Sequence, residues 1–570
     1  MRGNSAATIG PRFELSEVPF STQGSWLNLS QVVGPHTTSE FVHLVSHVQG
    51  MNAVLRLVPT AGTAQPVSCS VSATPSLSMW SSPRGDIRAV FDGPKVIRLR
   101  GNGLRLEIYD AVADRPFTGS YLFLDPVNDC PTFNSYETGL RYRITALHGA
   151  AEIVHGPDGR ANVAVSGGDW EIAIEEIGTA SPPFRPSRAF AACETGNRDA
   201  FRTYLESIAP WRTAETPAAE LAAYVLWSAT VSPAGFVTRE AILMSKHWMD
   251  RVWSWDNCFN ALALAPGLPA AALDQFMMTF DLQDPSGALP DMVGHSVVSY
   301  GYVKPPVQGW TLRALRPLLE LEPSQWSVIL NGLERQSRFW LDFRRRPGQA
   351  LPYYQHGNDS GWDNSTVFDG DGVVESADLA VLLAIQLDVM AEIGDDLADA
   401  RCDGWRLQRD ALLTAVVDEL WTDKGFAARR SDGSRPSDGS LLNLIPLVAH
   451  DLLPQAVSEA MAVRVEAFLT DHGLATETVD SPDYQSDGYW RGPVWGPPTV
   501  LIEDGLRSAG YVELADDISQ RFRLLCEAEG FAENFDALTG RGLRDLAYTW
   551  TASCYLHLAR AATLRQTPLV

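Results

Sequence analysis

The chain has no closely spaced pair of cysteines. Its seven cysteines, at positions 69, 130, 193, 258, 402, 526 and 554, are odd in number, scattered and without a CxxC, so neither a zinc site nor a disulfide framework is expected. No apolar run reaches the length that a bilayer span needs. The first residues, MRGNSAATIGPRFELSEVPF, lack the continuous apolar stretch of a secretory leader. Positive charge is scarce as well: 45 Lys and Arg stand against 69 Asp and Glu, and the net charge of −24 repels phosphate backbones and anionic lipid. These absences exclude nucleic-acid and membrane partners as expectations and point to a soluble, cytoplasmic protein with no cofactor.

What is present divides into two periods. At 570 residues the chain is too long for one small core and long enough for two large domains. From about 50 to 180 apolar residues alternate: Leu104, Leu106 and Ile108; Ala161, Val163 and Val165; Trp170, Ile172 and Ile174. Period two predicts strands, and the turn signals GPDGR (156–160) and SGGD (166–169) space them as in an antiparallel β-sandwich. Residues 1–190 are therefore read as a β-sandwich domain and 191–215 as a helical linker. From 216 to 570 the spacing is helical. Helices are expected near 216–230, 256–265, 269–282, 310–321, 324–343, 374–393, 402–421, 439–448, 454–468, 495–508, 511–527 and 546–563. A series of this kind can pack as six hairpins closing into an α/α barrel.

The segments before the even helices share a composition. They are WSWDN (253–257), KPPVQGW (304–310), GNDSGWDNST (357–366), SDGSLLN (437–443), DGYWRGPVWG (487–496) and FAENFDALTG (531–540). If the helices alternate up and down, all six lie at one mouth. Each alone reads as a polar surface turn, and acids near helix N-termini can serve the helix dipole only; Asp256 can simply cap the second helix. Together, Trp253, Trp255, Trp310, Trp362, Trp490 and Trp495 offer flat faces for sugar C–H surfaces. Asp256, Asn257, Gln308, Asn364 and Arg491 offer partners for hydroxyls. A small carbohydrate is the expected partner.

Glycoside hydrolysis needs one protonated and one ionised carboxyl across the scissile bond. Asp256, Asp359, Asp363, Asp487, Glu533, Asp536 and Asp545 are the candidates at this mouth. Asp363 follows Trp362 directly and sits in the more desolvating local setting, which favours its neutral form. It is read as the general acid, Glu533 as the general base, and Asp359 as loop-forming. The bland alternative is that Asp363 caps a helix and Glu533 is a solvated loop acid.

The segments WSWDNCFNALAL, PDMVGHSVVSYGYVKPPVQGW, DSGWDNS, GLATETVDSPDYQSDGYWRGPVW and ENFDALTG resemble, in order over about 253–555, the signatures of glycoside hydrolase family 63. Family 37 trehalases are similar more distantly, mainly at SGWD and the late glutamate. The resemblance implies an (α/α)6 barrel carrying an inverting exo-α-glycosidase, with Asp363 as acid and Glu533 as base. It also implies a subsite for the cleaved sugar from Trp253, Trp255, Asp256, Tyr489, Trp490 and Arg491, with Gln308 and Trp310 from KPPVQGW. Gly361 of SGWD belongs to the same set. Inversion requires carboxyls about 6.5 to 9.5 Å apart, against about 5 to 5.5 Å for retention. Some relatives bind calcium, and FDGDGV (368–373) is rich in oxygen ligands but lacks EF-hand spacing, so no metal is expected.

An α-glucosidase acting on a small α-linked glucoside is the leading reading. An α-mannosidase-type, glycosylglycerate-hydrolase or trehalase-like enzyme uses the same site. A phosphorylase would need groups to hold phosphate, for which the mouth offers Arg491 and Lys304. A sugar epimerase would use His295 or His356 for proton transfer, and a binding protein would hold sugar without turnover.

Overall fold

A computed structural model describes residues 10–62, 65–156 and 159–566 of the chain. Residues 1–9 of the stretch read for a leader lie outside the described residues, as do Pro157 and Asp158 of the GPDGR turn. By its contacts the chain forms two compact units. The first holds residues up to Pro210 with Ala223–Arg251 and Gly294–Val297; the second holds Trp211–Ala222, Val252–Val293 and Val298 onward. The first unit thus extends past the expected boundary at 190. Phe190 joins a core with Val90 and Cys193, and Tyr224 stacks on Phe13 at 4.4 Å.

The first unit is an antiparallel β domain. Its strands are β1 (Leu27–Gly34), β2 (Thr37–Ser46), β3 (Asn52–Ala61), β4 (Gln65–Pro66), β5 (Ser70–Thr74), β6 (Leu77–Ser82) and β7 (Gly85–Phe91). They continue with β8 (Val96–Asn102), β9 (Arg105–Asp110), β10 (Tyr121–Asp125), β11 (Cys130–Asn134), β12 (Arg141–His155) and β13 (Ala161–Ile177). Hydrogen bonds run in the order β1-β2-β3-β9-β13-β8-β7-β6-β5, with β10, β11 and β12 joined to β13. The expected sandwich is therefore one branched sheet among the described residues. Its long strand β13 pairs β9 at Val163–Val165 and β8 at Asp169–Glu175, as a strand does when it passes from one layer to another.

The SGGD stretch, read as a turn, lies inside β13. Gly149 explains why. It takes φ +78°, and a Cβ there would fall 2.6 Å from the Ser166 carbonyl oxygen, so the strands stay paired through a bulge between His148 and Ala150. Leu106, Ile108, Val163, Val165, Trp170, Ile172 and Ile174 are all buried, as the alternation implied.

Helices stand where the 3.6-residue period put them: Ala219–Ala229, Asp256–Leu264, Pro269–Met277, Gln308–Leu315, Pro323–Arg338, Ala377–Asp396, Cys402–Leu420, Gln455–Val465, Gly496–Ser508, Val512–Glu529 and Thr549–Gln566. The segment expected at 439–448 is instead a 3-10 helix, Leu441–Ala449, because in an α-helix the ring of Pro446 would clash with the carbonyl four residues earlier. The 191–215 linker is mostly helix, Phe190–Ile208. Helix Ala377–Asp396 is buried along nearly its whole length. Gly309 lets helix Gln308–Leu315 lie close against it, since a Cβ there would fall 2.3 Å from Gln386 Cα. Among the described residues, no helix is long and apolar enough to cross a membrane.

Candidate active site

Five of the six loops of the second unit are linked in a closed circuit, and the fourth attaches to the third. Gln308 Nε2 donates to Ser254 O at 2.5 Å, joining 304–310 to 253–257. Lys304 Nζ reaches Asn358 O at 2.5 Å, and Val303 N donates to Asp359 Oδ1 at 3.1 Å, joining the second loop to 357–366. Ser365 Oγ lies 2.9 Å from Ser440 Oγ of the fourth loop. Asn364 Nδ2 donates to Gly488 O and Asn364 Oδ1 accepts from Trp490 N, both at 3.0 Å, joining the third loop to the fifth. Val494 N donates to Phe535 O of the sixth at 2.7 Å. Trp550, in the first turn of the helix after the sixth loop, meets Trp255 edge-on at 5.2 Å and closes the circuit.

An aromatic cluster sits inside this circuit. Trp490 lies parallel on Trp495 at 4.0 Å and tilted against Trp362 at 4.7 Å; Trp255, Trp362, Trp490, Trp495 and Trp550 are all buried. Gly361 makes room for it. This residue ends the single helical turn Gly357–Ser360 at φ +74°, and a Cβ there would fall 2.4 Å from the Trp255 ring.

Four carboxyls gather beside the cluster with one lysine. Asp256 is the first residue of its helix, and Trp255 is the N-cap, without a side-chain bond, so the capping role does not hold. Asp256 is 2% exposed, and neither of its oxygens has a hydrogen-bond partner. Burial holds its carboxyl well above the usual range, Lys304 pulls it down, and the charges of Asp291 and Asp363 push it up further. Lys304 pairs with Asp291 at 3.0 Å, and burial raises Asp291 too.

Asp363 is half-buried, and its carboxyl is raised first by burial, against the opposing field of Lys304. Glu533 is buried and pushed up to about 8 by burial, with the neighbouring Asp545 adding to the rise. The more enclosed member of the expected pair is thus Glu533, not Asp363: the adjacent Trp362 turns into the tryptophan stack, while the glutamate is walled by Tyr489, Asp545 and Arg544. The charge of Asp363 reaches Glu533 and raises it, and both carboxyls raise the neighbouring Tyr489 hydroxyl.

Several residues expected to hold sugar bond to the frame around the site. Gln308 spends its amide on Ser254 O and on Gln336 Nε2 (2.9 Å). Trp310 donates Nε1 to Asp504 at 2.8 Å and packs against Phe259. Asn364 holds the 488–490 turn, and Arg491 bonds Asn364 O (2.7 Å) and pairs with Asp369 of FDGDGV. Trp495 donates to Tyr489 O at 2.9 Å. Asn257 donates to Gln275 O at 2.8 Å and keeps its buried Oδ1 unpaired. Trp253 stays half-buried on a short strand opposite Met292.

Of the other acids, Asp359 is a loop-former, bonded by Val303 N, Gln355 N and Arg344 (2.8 Å). Asp536 accepts from Leu538 N and Thr539 N within its own turn, and Asp487 pairs with Arg544 at 2.7 Å. His356 Nδ1 accepts from Asn358 N as a helix cap. Asp291, Arg544, Tyr548 and Trp550 belong to the site but not to the set read from sequence. Asp291 lies in PDM and Trp550 in the first turn of an expected helix, and neither position shows its orientation in sequence. Among the described residues, no cluster of His, Cys, Asp or Glu is arranged to hold a metal.

The sequence profile of a family described as the mannosylglycerate hydrolase MGH1-like glycoside hydrolase domain matches residues 249–551. A mannosylglycerate hydrolase of Rubrobacter radiotolerans is 25% identical over 401 residues, 53% of this chain and 89% of the relative. A second, from Thermus thermophilus, is 36% identical over 80 residues, which cover 14% of this chain and 19% of the relative. The crystal structure of the glycoside hydrolase family 63 mannosylglycerate hydrolase from Thermus thermophilus with glucose superposes at TM-score 0.53 and 20% identity. It covers 59% of this chain and 98% of that one. A bacterial glucoamylase bound to acarbose shares the fold over 99% of this chain and 97% of its own, at TM-score 0.65 and 10% identity.

Proposed function

Because the chain belongs to the mannosylglycerate hydrolase MGH1-like glycoside hydrolase family, we propose that this glycoside hydrolase is an inverting exo-α-glycosidase of a small α-linked glucoside. Asp363 serves as its general acid and Glu533 as its general base. One observation carries the reading: Asp256, from a loop beside those of Asp363 and Glu533, is buried with both oxygens unpaired. Orphaned carboxylate oxygens in a buried site are costly. Two hydroxyls of a terminal sugar satisfy them, and the aromatic cluster offers the C–H faces a surface.

In this reading Asp363 gives its proton to the glycosidic oxygen as the C–O bond breaks, and Glu533 takes a proton from the water attacking the anomeric carbon from the opposite face. Turnover in this reading needs Asp363 protonated and Glu533 ionised, so the raised Glu533 predicts a rate that climbs with pH toward about 8. The twelve helical segments and the six linked loops are read as six hairpins closed into an (α/α)6 barrel, which the whole-length likeness to the glucoamylase supports. A second reading, in which the leaving group is glycerate, is favoured by the names of the relatives.

The test is a panel of α-glucosyl and α-mannosyl disaccharides and glycerates, with NMR of the anomer first released. The β-anomer is expected from an α-linked substrate, and the α-anomer would refute inversion. Asp363→Asn and Glu533→Gln should each lower kcat by about 10²- to 10⁴-fold; wild-type rates in both remove the catalytic pair.

A further inference from the structure

Arg544 has no part in the chemistry described so far, yet it stands against the base. The short strands Asn534–Phe535 and Gly542–Leu543 pair with Asn534 opposite Leu543, so Glu533 and Arg544 leave the hairpin side by side. Arg544 Nη1 donates to Asn534 Oδ1 at 2.8 Å, and Nη2 pairs with Asp487 Oδ1 at 2.7 Å. Its Cζ lies 5.0 Å from the ring centroid of Tyr489, a cation over an aromatic face. The hydroxyl of that ring neighbours Glu533. Tyr489 is also braced by Trp495, edge-on at 5.1 Å.

Both partners occupy unfavourable backbone. Tyr489 has φ +65° and Arg544 has φ +66°, in the left-handed region that non-glycine residues rarely enter. Such strain persists only where surrounding contacts enforce it, and here the two strained residues hold each other.

We propose that Arg544 is a positioning residue for the general base: it fixes the Tyr489 ring and faces Glu533 with a cation, holding the glutamate in place for its water. The inference rests on Glu533 being the base. The charged and titratable groups facing Glu533 are Asp545, Asp363, Tyr489, Tyr548 and Arg544. Arg544 is the cation among them, set against the acids Asp545 and Asp363. Its field offsets part of the rise that burial and the neighbouring acids impose on Glu533, so more of the glutamate is ionised at a given pH than it would be without the cation.

The test uses the full-length enzyme and α-glucosyl fluoride, or α-mannosyl fluoride if the panel selects mannose. Fluoride departs with little protonation, so the rate follows the ionised fraction of Glu533 and rises with pH through its pKa. Removing the cation in Arg544→Met raises that pKa, so the rising limb moves to higher pH, on the order of one unit, and kcat falls by about 100-fold with KM little changed. Arg544→Lys should restore the limb and only part of kcat. Asp487→Asn, a change at an exposed residue, removes a neutralising charge and moves the limb to lower pH. It serves as the second measurement if Arg544→Met does not fold. Limbs that stay in place in Arg544→Met and Asp487→Asn overturn the proposal even where Glu533→Gln is inactive; an active Glu533→Gln instead overturns the reading of the base.

Discussion

Asp256 is a buried carboxyl with neither oxygen hydrogen-bonded. Its pKa is held well above the ordinary carboxylate value, chiefly by burial, so the folded chain binds this proton more tightly than the unfolded one. Stability from that proton is present below the unfolded pKa and is lost as pH rises toward the folded one. Asp256→Asn, which cannot ionise, should therefore melt higher than the wild type by on the order of 1–3 kcal/mol, with a gap that widens as pH rises. The same variant should bind substrate poorly, the trade expected where a site is kept polar for function. Calorimetry across pH checks this, and a lower melting point for Asp256→Asn at neutral pH would show that its oxygens are satisfied by something other than substrate. At this scale the sequence was informative about identity and not about role. WSWD and SGWD flag Asp256 and Asp363 by type, whereas nothing in the sequence shows that Arg491 and Asn364 also pin loops to one another. A polar side chain in a loop carries no sign of which neighbour it will meet.

Single turns of chain decide how the elements serve the site. The helical turn Gly357–Ser360 must end in a left-handed residue, and that residue must have no Cβ because the Trp255 indole occupies the space. Gly361→Ala should shift Trp255 and the following Asp363, lowering kcat by about 100-fold and stability by about 1–3 kcal/mol. Kinetics and thermal melting read both, and an unaltered kcat would show that the loop can relax without moving Asp363. Helix periodicity was legible for nearly every helical segment because an apolar stripe must face a neighbour wherever the helix packs. What escaped was the effect of one residue on the backbone. Pro446 turned an expected α-helix into a 3-10 helix, and Gly149 let one strand run on where SGGD suggested a turn.

Across the whole molecule, the switch from period two to period 3.6 separates strands from helices near residue 190, but the chain does not divide its packing there. Residues 223–251 belong by contact to the β unit, with Tyr224 against Phe13 and its hydroxyl accepting from Ser21 N at 3.1 Å. A fragment of residues 216–570, cut at the boundary read from sequence, should expose Tyr224 and Trp227 and lose cooperative melting; a sharp transition in that fragment would show that these contacts are dispensable. The sequence by itself determined the classes of structure, the acidic charge balance and the segments that gather at one mouth, because periodicity, net charge and residue type are local properties. Only the tertiary structure decided which of those residues are buried and which face each other. Burial and charge at Glu533, the unpaired oxygens of Asp256 and the clamp of Arg544 on Tyr489 all arise from chain segments far apart in sequence. A pKa or an orphaned oxygen is a property of what surrounds a group, and surroundings exist only once the chain has folded.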